Sequence, residues 1–370
     1  MQKKLKIGMM MTGHFPIPEP KGVIYAPMHI AKPLAEGLTK KGHSVYFFAP
    51  QGSKLKVTHI VSGGLKPLRG VSGKQDSPFL SDPLVGLKEK EKIAHLWDQY
   101  LVALMYQKAF EKKLDILHIH PIDRALPFGF AFQKIPVVYT LHDPLFPWRK
   151  TIFQMFASKN QYLVSLSQTQ RKPGPQLHWI ATIYNGIDLR LFPFSPAPQN
   201  YCLFLGRLLA TKGVDLAILA AKKAKQKLII AGTPNEGEFW EKKIKPYLGK
   251  NIIYAGNIPY EKTPRYYRNA KVCLMPIRWE EPFGLTFIES MACGTPVVAF
   301  DRGSAREIIK NGKTGFIVKT VDEMARAIQK IDMIRREDCR TWVEEHFTLE
   351  KMVDEYERVF YEIVSRREKM

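Results

Sequence analysis

Two glutamates in the segment EPFGLTFIES have a spacing that suits the binding of a ligand. Glu281 precedes a helix that is predicted to begin near Gly284, and Glu289 lies inside that helix. The first backbone amides of a helix, here those of Gly284, Leu285 and Thr286, point outwards and can bind phosphate oxygens. An acid one turn deeper, such as Glu289, can accept hydrogen bonds from a ribose diol, as acidic residues do in dinucleotide-binding folds.

An ordinary surface helix with acidic residues in its first turns is the alternative interpretation of this segment. Phe287, Ile288 and Met291 lie close to Glu289 in the sequence and argue against that alternative. Burial of an unpaired carboxylate is costly, so a glutamate in such apolar surroundings needs a partner or a ligand.

A second segment, LFLGRLLATKG, places two cations after a predicted strand. The strand ends at Leu205, Gly206 allows a tight turn, and Arg207 and Lys212 follow before a helix that begins near Val214. Two cations at a strand end beside a helix N-terminus form a suitable anion site. Arginine and lysine also commonly do no more than cover loops, and this alternative stays open.

Short apolar strands alternate with helical segments along the whole chain of 370 residues. This pattern predicts an α/β protein with two doubly wound parallel sheets, in which ligands bind beyond the carboxyl ends of the strands. The helix MHIAKPLAEGLTKKG is predicted to be interrupted near Pro33, and residues 51–90 are predicted to be irregular. The Pro-rich segment 192–200 is the predicted linker. From Met352 the chain is predicted to form a final amphipathic helix.

The net charge of +21 is concentrated in the first half of the chain. Residues 1–195 have 26 Lys and Arg against 12 Asp and Glu, or +14, which leaves +7 for residues 196–370. A basic excess favours polyanions, such as nucleic acid, anionic lipid or phosphorylated substrates, or it is only a solvated surface.

The four cysteines contain no C-x-x-C pair, which favours buried thiols over a zinc site or disulfides. No apolar run is long enough for a membrane span, and the N-terminus is typical of a first strand rather than a signal peptide. We therefore expect a cytoplasmic protein.

The segment EPFGLTFIESMACGTPVVAFDRGSAREIIKNGKTGFIV resembles the E-x7-E signature of glycosyltransferase family 4. The segments GRLLATKG, YNGID, DILHIHP and TLHD also resemble segments of that family. The resemblance implies a retaining enzyme of the GT-B fold, with two Rossmann-like domains that face a central cleft. It implies an acceptor-binding domain (1–195), a nucleotide-sugar-binding domain (196–351) and a C-terminal helix (352–370) that packs back on the first domain.

The resemblance also implies roles for individual residues around the donor. Arg207 and Lys212 would neutralise the donor diphosphate and stabilise it as it leaves. Backbone amides of the segment from Phe283 to Thr286, above all those of Gly284 and Leu285, would share that task. Glu289 would bind the ribose hydroxyls.

Two further residues would lie near the sugar that is transferred. Glu281 would contact the hydroxyls of the donor sugar, and His120 would lie near its C6 hydroxyl or near the acceptor. His118 is two positions from His120 on a strand, so a metal pair is conceivable, but a structural role for one of them is favoured. No D-x-D motif occurs in the chain, and Arg207, Lys212 and a helix N-terminus can replace a metal ion on the diphosphate. We expect no metal and no cofactor beyond the donor.

One departure from the family concerns the double-glycine loop after the first strand. Tyr25 and Ala26 occupy the corresponding positions here, and Gly22 is shifted from them. The usual phosphate contacts of this loop are therefore in doubt. Gly13 could supply a close backbone approach instead.

The donor and acceptor are defined only as classes. UDP is favoured over GDP because it is common in the family, and the loop GNIPYEKT with the strand end near Arg278 is the predicted base site. The acceptor would be a hydroxyl of a glycan, a lipid-linked compound or a small molecule. The stretch FPWRKTIFQMF could lie at an anionic membrane surface on the inner face of the membrane, or could be a core helix with two exposed cations.

Other functions fit the sequence less well. A sugar phosphorylase or a nucleotide-sugar epimerase would share the GT-B-like fold. A polyanion-binding or nucleic-acid-binding protein would use the positive charge, but no nucleic-acid-binding motif is present, and we expect no nucleic acid partner. An NAD-dependent enzyme lacks its G-x-G-x-x-G segment after a strand.

Overall fold

The computed structural model describes residues 3–20, 25–68, 87–234 and 237–368. The chain divides into two compact units. The first unit comprises residues 1–166, 171–183 and 349–370, and the second comprises residues 167–170 and 184–348.

Within the described residues, the first unit contains a parallel sheet of seven strands. In chain order the strands are β1 (Lys6–Met10), β2 (Ser44–Phe48), β3 (His59–Val61), β4 (Ile116–Ile119), β5 (Val137–Thr140), β6 (Gln161–Ser165) and β7 (Trp179–Thr182). Their order across the sheet is β3-β2-β1-β4-β5-β6-β7. The helices of this unit are α1 (Met28–Lys40), α2 (Leu87–Lys112), α3 (Ile122–Ala131), α4 (Pro147–Met155) and, from the end of the chain, α13 (Leu349–Glu368).

The described part of the second unit contains a parallel sheet of six strands. These strands are β8 (Cys202–Leu205), β9 (Leu228–Ala231), β10 (Ile252–Tyr254), β11 (Val272–Met275), β12 (Val297–Phe300) and β13 (Gly315–Val318), in the order β10-β9-β8-β11-β12-β13. The helices are α6 (Val214–Lys223), α7 (Glu238–Lys243), α8 (Thr263–Asn269), α9 (Leu285–Ala292), α10 (Ala305–Ile308), α11 (Val321–Gln329) and α12 (Arg336–His346). The short helix α5 (Gln168–Arg171) begins in this unit, and its last residue belongs to the first.

The central strands of both sheets are buried on both faces. All residues of β4, β5 and β11 are buried, which is the burial pattern of a sheet covered by helices on each side. The prediction of two parallel α/β domains is therefore confirmed. The same burial accounts for the cysteines: all four are free and buried, and burial raises the pKa of the Cys273 thiol to about 12.

Helix α13 completes the core of the first unit. Its predicted apolar face is buried and consists of Met352, Val353, Tyr356, Val359, Phe360 and Ile363. The helix packs so closely on α1 that a Cβ atom on Gly37 would lie 2.6 Å from a methyl group of Val353. At the polar margin, Glu357 accepts hydrogen bonds from Lys41, at 2.5 Å, and from His43, at 2.8 Å.

Two predicted features of the first unit differ from the structure. Helix α1 runs through Pro33 without interruption, because buried Ile30 and Leu34 anchor it on both sides of the proline. The segment predicted to be irregular contains β3 and the start of α2, while residues 69–86 lie outside the described part of the chain. None of the described helices is long and apolar enough to cross a membrane.

The passage from the first unit to the second occurs between residues 183 and 184, ahead of the predicted linker. Two arginines of α12 explain this difference. Arg340 donates to the carbonyl of Phe192 at 2.8 Å, and Arg336 donates to the carbonyl of Ser195 at 2.7 Å. These bonds fix the proline-rich segment to the second unit.

Gly213 forms the turn that places Lys212 after strand β8. Its φ is +78°, in the left-handed region that glycine adopts readily, and α6 begins at the next residue. A Cβ atom at this position would lie only 2.0 Å from the carbonyl oxygen of Pro276. The close approach ties the turn after β8 to the end of the neighbouring strand β11.

We predict that Gly213→Ala destabilises the protein more than Gly312→Ala does. Gly312 has the same φ of +78°, but a Cβ atom there would meet no atom within 4 Å. The Gly312 variant should lose only the ~1–2 kcal/mol of a left-handed alanine, whereas the Gly213 variant adds a steric clash. Urea unfolding of both variants checks the prediction, and equal losses in the free energy of unfolding would contradict it.

Candidate functional site

The N-terminus of α9 presents free backbone amides, as the sequence predicts. The helix begins at Leu285, and Gly284 before it has a φ of +80°. Within the described residues, the backbone N–H groups of Gly284, Leu285 and Thr286 donate no hydrogen bond. These amides and the positive end of the helix dipole suit an anion.

The loop that leads into α9 is held by a segment whose role the sequence did not reveal. The backbone amide of Ser304 donates to the carbonyl of Glu281 at 2.9 Å, and its hydroxyl donates to the carbonyl of Phe283 at 2.7 Å. Gly303, with φ of +53°, lies so close that a Cβ atom would be 2.2 Å from the carbonyl oxygen of Glu281. Phe283 itself is buried, so it anchors the loop.

Two predicted catalytic residues, Lys212 and Glu281, form an ion pair. Lys212 Nζ lies 2.5 Å from Glu281 Oε2, and both side chains are largely buried. Trp279 donates its indole N–H to the same oxygen at 2.8 Å, and Lys212 Nζ lies 4.7 Å from the centre of the Trp279 ring. Trp279 was missed at the sequence level, because a tryptophan between two strands is usually a packing residue.

Arg207 is exposed, and the structure gives its guanidinium no hydrogen bond or ion pair with any described residue. It follows Gly206 at the carboxyl end of β8. At the end of the neighbouring strand β9, Gly232 has a φ of +144°, and a Cβ atom there would lie 1.8 Å from the carbonyl oxygen of Gly206. The backbones of Gly206 and Gly232 therefore approach each other closely at these two strand ends, next to Arg207.

Glu289 is buried, at 4% exposure, and its carboxylate already has partners. Tyr260 donates to Oε1 at 3.0 Å and Tyr267 donates to Oε2 at 2.9 Å. A carboxylate has about four acceptor positions and can accept from several hydroxyl groups at once. Burial, together with the nearby Glu289 charge, raises the pKa of Tyr267 well above its usual range. Tyr260 belongs to the loop GNIPYEKT that the sequence singled out.

The opposite end of α9 is fixed by the guanidinium of Arg336. This group donates to the carbonyls of Arg268, Ala270 and Cys293, all at the C-terminal ends of α8 and α9. Helix C-termini are negative ends of the helix dipole and favour a cation. A buried charge with this many acceptors holds α9, and with it Glu289, in one position.

Arg278, which lies at the strand end predicted to contribute to the base site, is paired with residues of its own unit. Its guanidinium donates two hydrogen bonds to the carboxylate of Asp215, at 2.8 and 2.7 Å, and one to the carbonyl of Ala210 at 2.6 Å. This arginine therefore ties the end of β11 to the turn before α6. A contact with a base would require it to leave these partners.

Three histidines in the first unit, of which His118 and His120 are buried and His142 is half-buried, form a cluster at the ends of β4 and β5. His120 Nδ1 lies 2.7 Å from His142 Nε2, and the ring of His118 lies 4.4 Å from that of His120. His118 Nε2 lies 2.8 Å from the hydroxyl of Thr140, which in turn lies 2.8 Å from the hydroxyl of Tyr356. His118 thus connects β4 to α13, the structural role favoured for one of the pair. The described residues include no group of three potential ligands suited to a metal ion.

The three histidines should remain neutral well below pH 6. Burial lowers the pKa of His118 to about 3 and that of His142 to about 4, and burial with the neighbouring imidazoles lowers the pKa of His120 well below its usual value. The unfolded chain therefore binds more protons than the folded chain once the pH falls below about 6.5. This stabilising contribution is complete above that pH and is lost as the pH falls towards these depressed values.

We predict that the imidazole rings of these histidines stay neutral, each with a single N–H, at about pH 5.5, a point between their folded and unfolded pKa values. Nitrogen-15 NMR of histidine-labelled protein measures this directly, with the urea-unfolded protein as the matched control. Protonation of the folded cluster with the same midpoint as the unfolded chain would contradict the prediction.

Two glycines of the first unit, Gly13 and Gly22, were predicted to lie near a phosphate. The amide of Gly13 donates to Asp98 Oδ1 at 2.8 Å, and a Cβ atom on Gly13 would lie 2.9 Å from the carbonyl oxygen of Trp97. The close approach at Gly13 is therefore to α2, and its amide has an internal partner. Gly22 lies outside the described residues. Tyr25 and Ala26 immediately precede α1, and Tyr25 O accepts from the amide of Met28.

The stretch FPWRKTIFQMF contains α4, and the structure corrects one of the two predictions for it. Trp148 and Met155 are exposed, at 52% and 63%, and Trp148 stacks with exposed Phe146. Arg149, by contrast, is only 9% exposed and is ion-paired. A core helix with two exposed cations is thus wrong for Arg149, because this arginine is itself buried and forms ion pairs with Asp123 and Asp143.

Comparisons with known proteins extend over most of the chain. A family model described as "Glycosyl transferases group 1" matches residues 190–345, and one described as "Glycosyltransferase Family 4" matches residues 31–191. Phosphatidyl-myo-inositol mannosyltransferase of Mycolicibacterium smegmatis is 25% identical over 363 residues, which cover 91% of this chain and 86% of that protein.

Two solved structures have the same arrangement of elements. Sucrose-phosphate synthase from Thermosynechococcus elongatus aligns with a TM-score of 0.73 at 19% identity, over 98% of this chain and 100% of the other. HepE from Anabaena, in complex with UDP and glucose, aligns with a TM-score of 0.69 at 18% identity, over 96% and 99% of the two chains. At such identities the likeness establishes a shared fold.

Proposed function

Because this chain belongs to glycosyltransferase family 4 and has the GT-B fold, we propose that it moves a hexose-type sugar from a nucleoside-diphosphate sugar to an acceptor hydroxyl. UDP-sugar is the favoured donor and GDP-sugar the alternative. The UDP and glucose bound to HepE, a protein of the same fold, support this choice. The donor is proposed to bind to the second unit and the acceptor to the first.

The observation that carries this proposal is the N-terminus of α9. Free amides at Gly284, Leu285 and Thr286 follow directly after the Glu281–Lys212 pair, and buried Glu289 lies one turn further along the same helix. Anion-binding groups and a ribose-binding carboxylate are thus arranged along one short segment. This is the arrangement that a nucleoside diphosphate requires.

In the proposed mechanism, positively charged groups of the protein surround the departing diphosphate. The amides before and in the first turn of α9, with the cations Arg207 and Lys212, stabilise the negative charge that develops as the bond from the sugar to the diphosphate breaks. Lys212 would exchange part of its contact with Glu281 for the phosphates. Glu281 would then accept hydrogen bonds from hydroxyls of the donor sugar.

Transfer is proposed to occur with retention of the anomeric configuration and without a metal ion. The acceptor oxygen forms a bond to the anomeric carbon on the face from which the diphosphate leaves. The acceptor proton passes to a diphosphate oxygen, so that no protein base is needed. Two cations and the helix N-terminus supply the positive charge for which other enzymes use a metal ion.

We expect UDP, or GDP if it is the donor base, to raise the melting temperature of the protein without any effect of EDTA. A ligand that binds only the folded state stabilises it by mass action, by about 2.7 kcal/mol at a hundredfold excess over its dissociation constant. A thermal-shift screen of UDP, GDP, ADP and their sugars makes this measurement. Arg207→Ala should weaken the shift strongly, because its guanidinium is available to the diphosphate.

The matched control is Arg302→Ala, an exposed arginine of the same unit whose ion pair with Glu280 is on the surface. It should leave the shift unchanged. A folded protein that no nucleotide stabilises, or equal effects of the two variants, would contradict the proposed donor site. Product analysis by NMR then tests retention, because an inverted anomeric centre would exclude the proposed mechanism.

The acceptor is proposed to be a glycan, a small molecule or a lipid-linked compound, and in the last case α4 would contact the membrane. The name of the Mycolicibacterium relative, which denotes action on a phosphatidylinositol, supports a lipid-linked acceptor. The exposed apolar residues Phe146, Trp148 and Met155, in a unit with a net positive charge, fit the interface of an anionic bilayer.

We expect the protein to sediment with phosphatidylglycerol vesicles at low salt and not with phosphatidylcholine vesicles. Trp148→Ser should reduce this binding about tenfold or more, since burial of a large aromatic side chain is worth ~1.5–3 kcal/mol. Met333→Ser removes an even more exposed apolar residue from the second unit and should have no effect. If anionic vesicles do not retain the protein, the membrane contact is excluded.

A further inference from the structure

A cavity lies at the amino ends of strands β4 and β5, on the edge of the first sheet opposite to the histidine cluster. Asp115 directly precedes β4, and Lys134 and Ile135 precede β5. His120 follows the other end of β4, five residues after Asp115, so the two edges lie about 16 Å apart along the strand. The cavity is therefore separate from the edge at which ligands of parallel α/β sheets bind, and a ligand in it goes beyond the proposed function.

The cavity has the size of a small-molecule site and a partly apolar wall. Its volume is about 430 Å³, which is within the range of ligand pockets. Helix α2, the segments before β4 and β5, and the last turns of α13 form it, and Phe110 on its wall is 45% exposed. The apolar lining residues are Ala109, Phe110, Leu114, Ile135 and Val364.

Positive charge prevails around this cavity. Three exposed cations without a side-chain hydrogen bond or ion pair to any described residue line it: Lys113, Lys134 and Arg367. The carboxylate of the lining residue Asp115 is already paired, because Oδ2 accepts from the amide of Lys6 at 2.7 Å and Oδ1 lies 3.8 Å from Lys3 Nζ. Three cations against one paired carboxylate give a positive potential, which a concave surface concentrates.

The combination of an apolar wall and unpaired cations restricts the kind of ligand. Like charges around one cavity repel one another, and an anion between them removes that repulsion. Lysine and arginine both bind carboxylate and phosphate groups. An inorganic anion would leave the apolar wall in water, and an apolar molecule would leave the cations unpaired. A second copy of this chain does not suit the cavity, because its net charge is also +21.

We propose that this cavity binds a small amphiphilic anion, with one carboxylate or phosphate head and an aliphatic or aromatic body. The head lies among Lys113, Lys134 and Arg367, and the body lies against Phe110 and Val364. Arg367 and Val364 belong to α13, whereas the other three residues belong to α2 and to segments next to it or to β5. The ligand therefore joins the last turns of α13 to the rest of the first unit.

Two lysines in the same backbone conformation provide a matched pair of variants. Lys113 has a φ of +52° and Lys225 a φ of +53°, in the left-handed region that glycine adopts readily. Each follows the end of a helix, and the amide of the next residue, Leu114 or Gln226, donates to a carbonyl of the last turn at 3.0 Å. Glycine suits both positions, so Lys113→Gly and Lys225→Gly should both fold. Lys225 lies in the second unit and does not line the cavity.

Calorimetric titration of the full chain with four probes tests the chemistry of the ligand. Octanoate and octyl phosphate combine an acidic head with an apolar body, 1-octanol lacks the charge, and inorganic phosphate lacks the body. We expect at least one of the two amphiphiles to bind, and 1-octanol and inorganic phosphate to bind about tenfold more weakly or less. The tighter amphiphile identifies the head. Absence of binding by both amphiphiles, or equal binding of 1-octanol or phosphate, would overturn the proposal.

The two glycine variants test the place of binding. Lys113→Gly should weaken the binding of the amphiphile about five- to tenfold, as for one charge-assisted hydrogen bond at a partly exposed site, and Lys225→Gly by less than about twofold. Thermal melting without a ligand verifies that both variants are folded. Equal losses in the two variants, or no loss in either, would show that the amphiphile binds elsewhere and would rule out this cavity.

Discussion

The placement of helix α9 is the constraint on which the proposed donor site depends. One end of the helix is fixed by the left-handed Gly284 and by Ser304, which binds the carbonyls before it, and the other end is fixed by the guanidinium of Arg336. Arg336 satisfies a carbonyl at the C-terminal end of the helix, whereas the first amides at the other end keep no partner within the described residues. The helix is therefore fixed at both ends, which also fixes the position of Glu289, while the amides at its N-terminus stay available to a ligand.

Polar groups in the two units are organised by a common rule. Parallel strands end at one edge of a sheet, and side chains that follow them are brought together even when they are far apart in sequence. In the second unit this edge gathers Arg207, Lys212 and Glu281, and in the first it gathers His120, His142 and the Arg149 cluster. The difference is charge, since cations and free amides prevail in one and carboxylates balance the arginine in the other.

Local features were predictable from the sequence, and contacts between distant segments were not. The start of α9 at Leu285 and the buried face of α13 follow from glycine and from apolar spacing, which depend on neighbouring residues. Tyr267 and Glu289, by contrast, are 22 residues apart and belong to different helices. Arg149 has the pattern of a surface cation, and only the position of Asp123 on another helix makes it a buried one.

Helix α13 also has a consequence for how the chain is made. The second unit is almost continuous in sequence, whereas the first contains both the earliest strands and the final helix. On the ribosome, residues 184–348 are synthesised before Tyr356 and Phe360 can cover the sheet of the first unit. The apolar face of the first unit therefore stays uncovered after all residues of the second unit have been synthesised. A chain that is interrupted late in translation therefore exposes β4 and β5, which gives quality-control factors a surface by which to detect it.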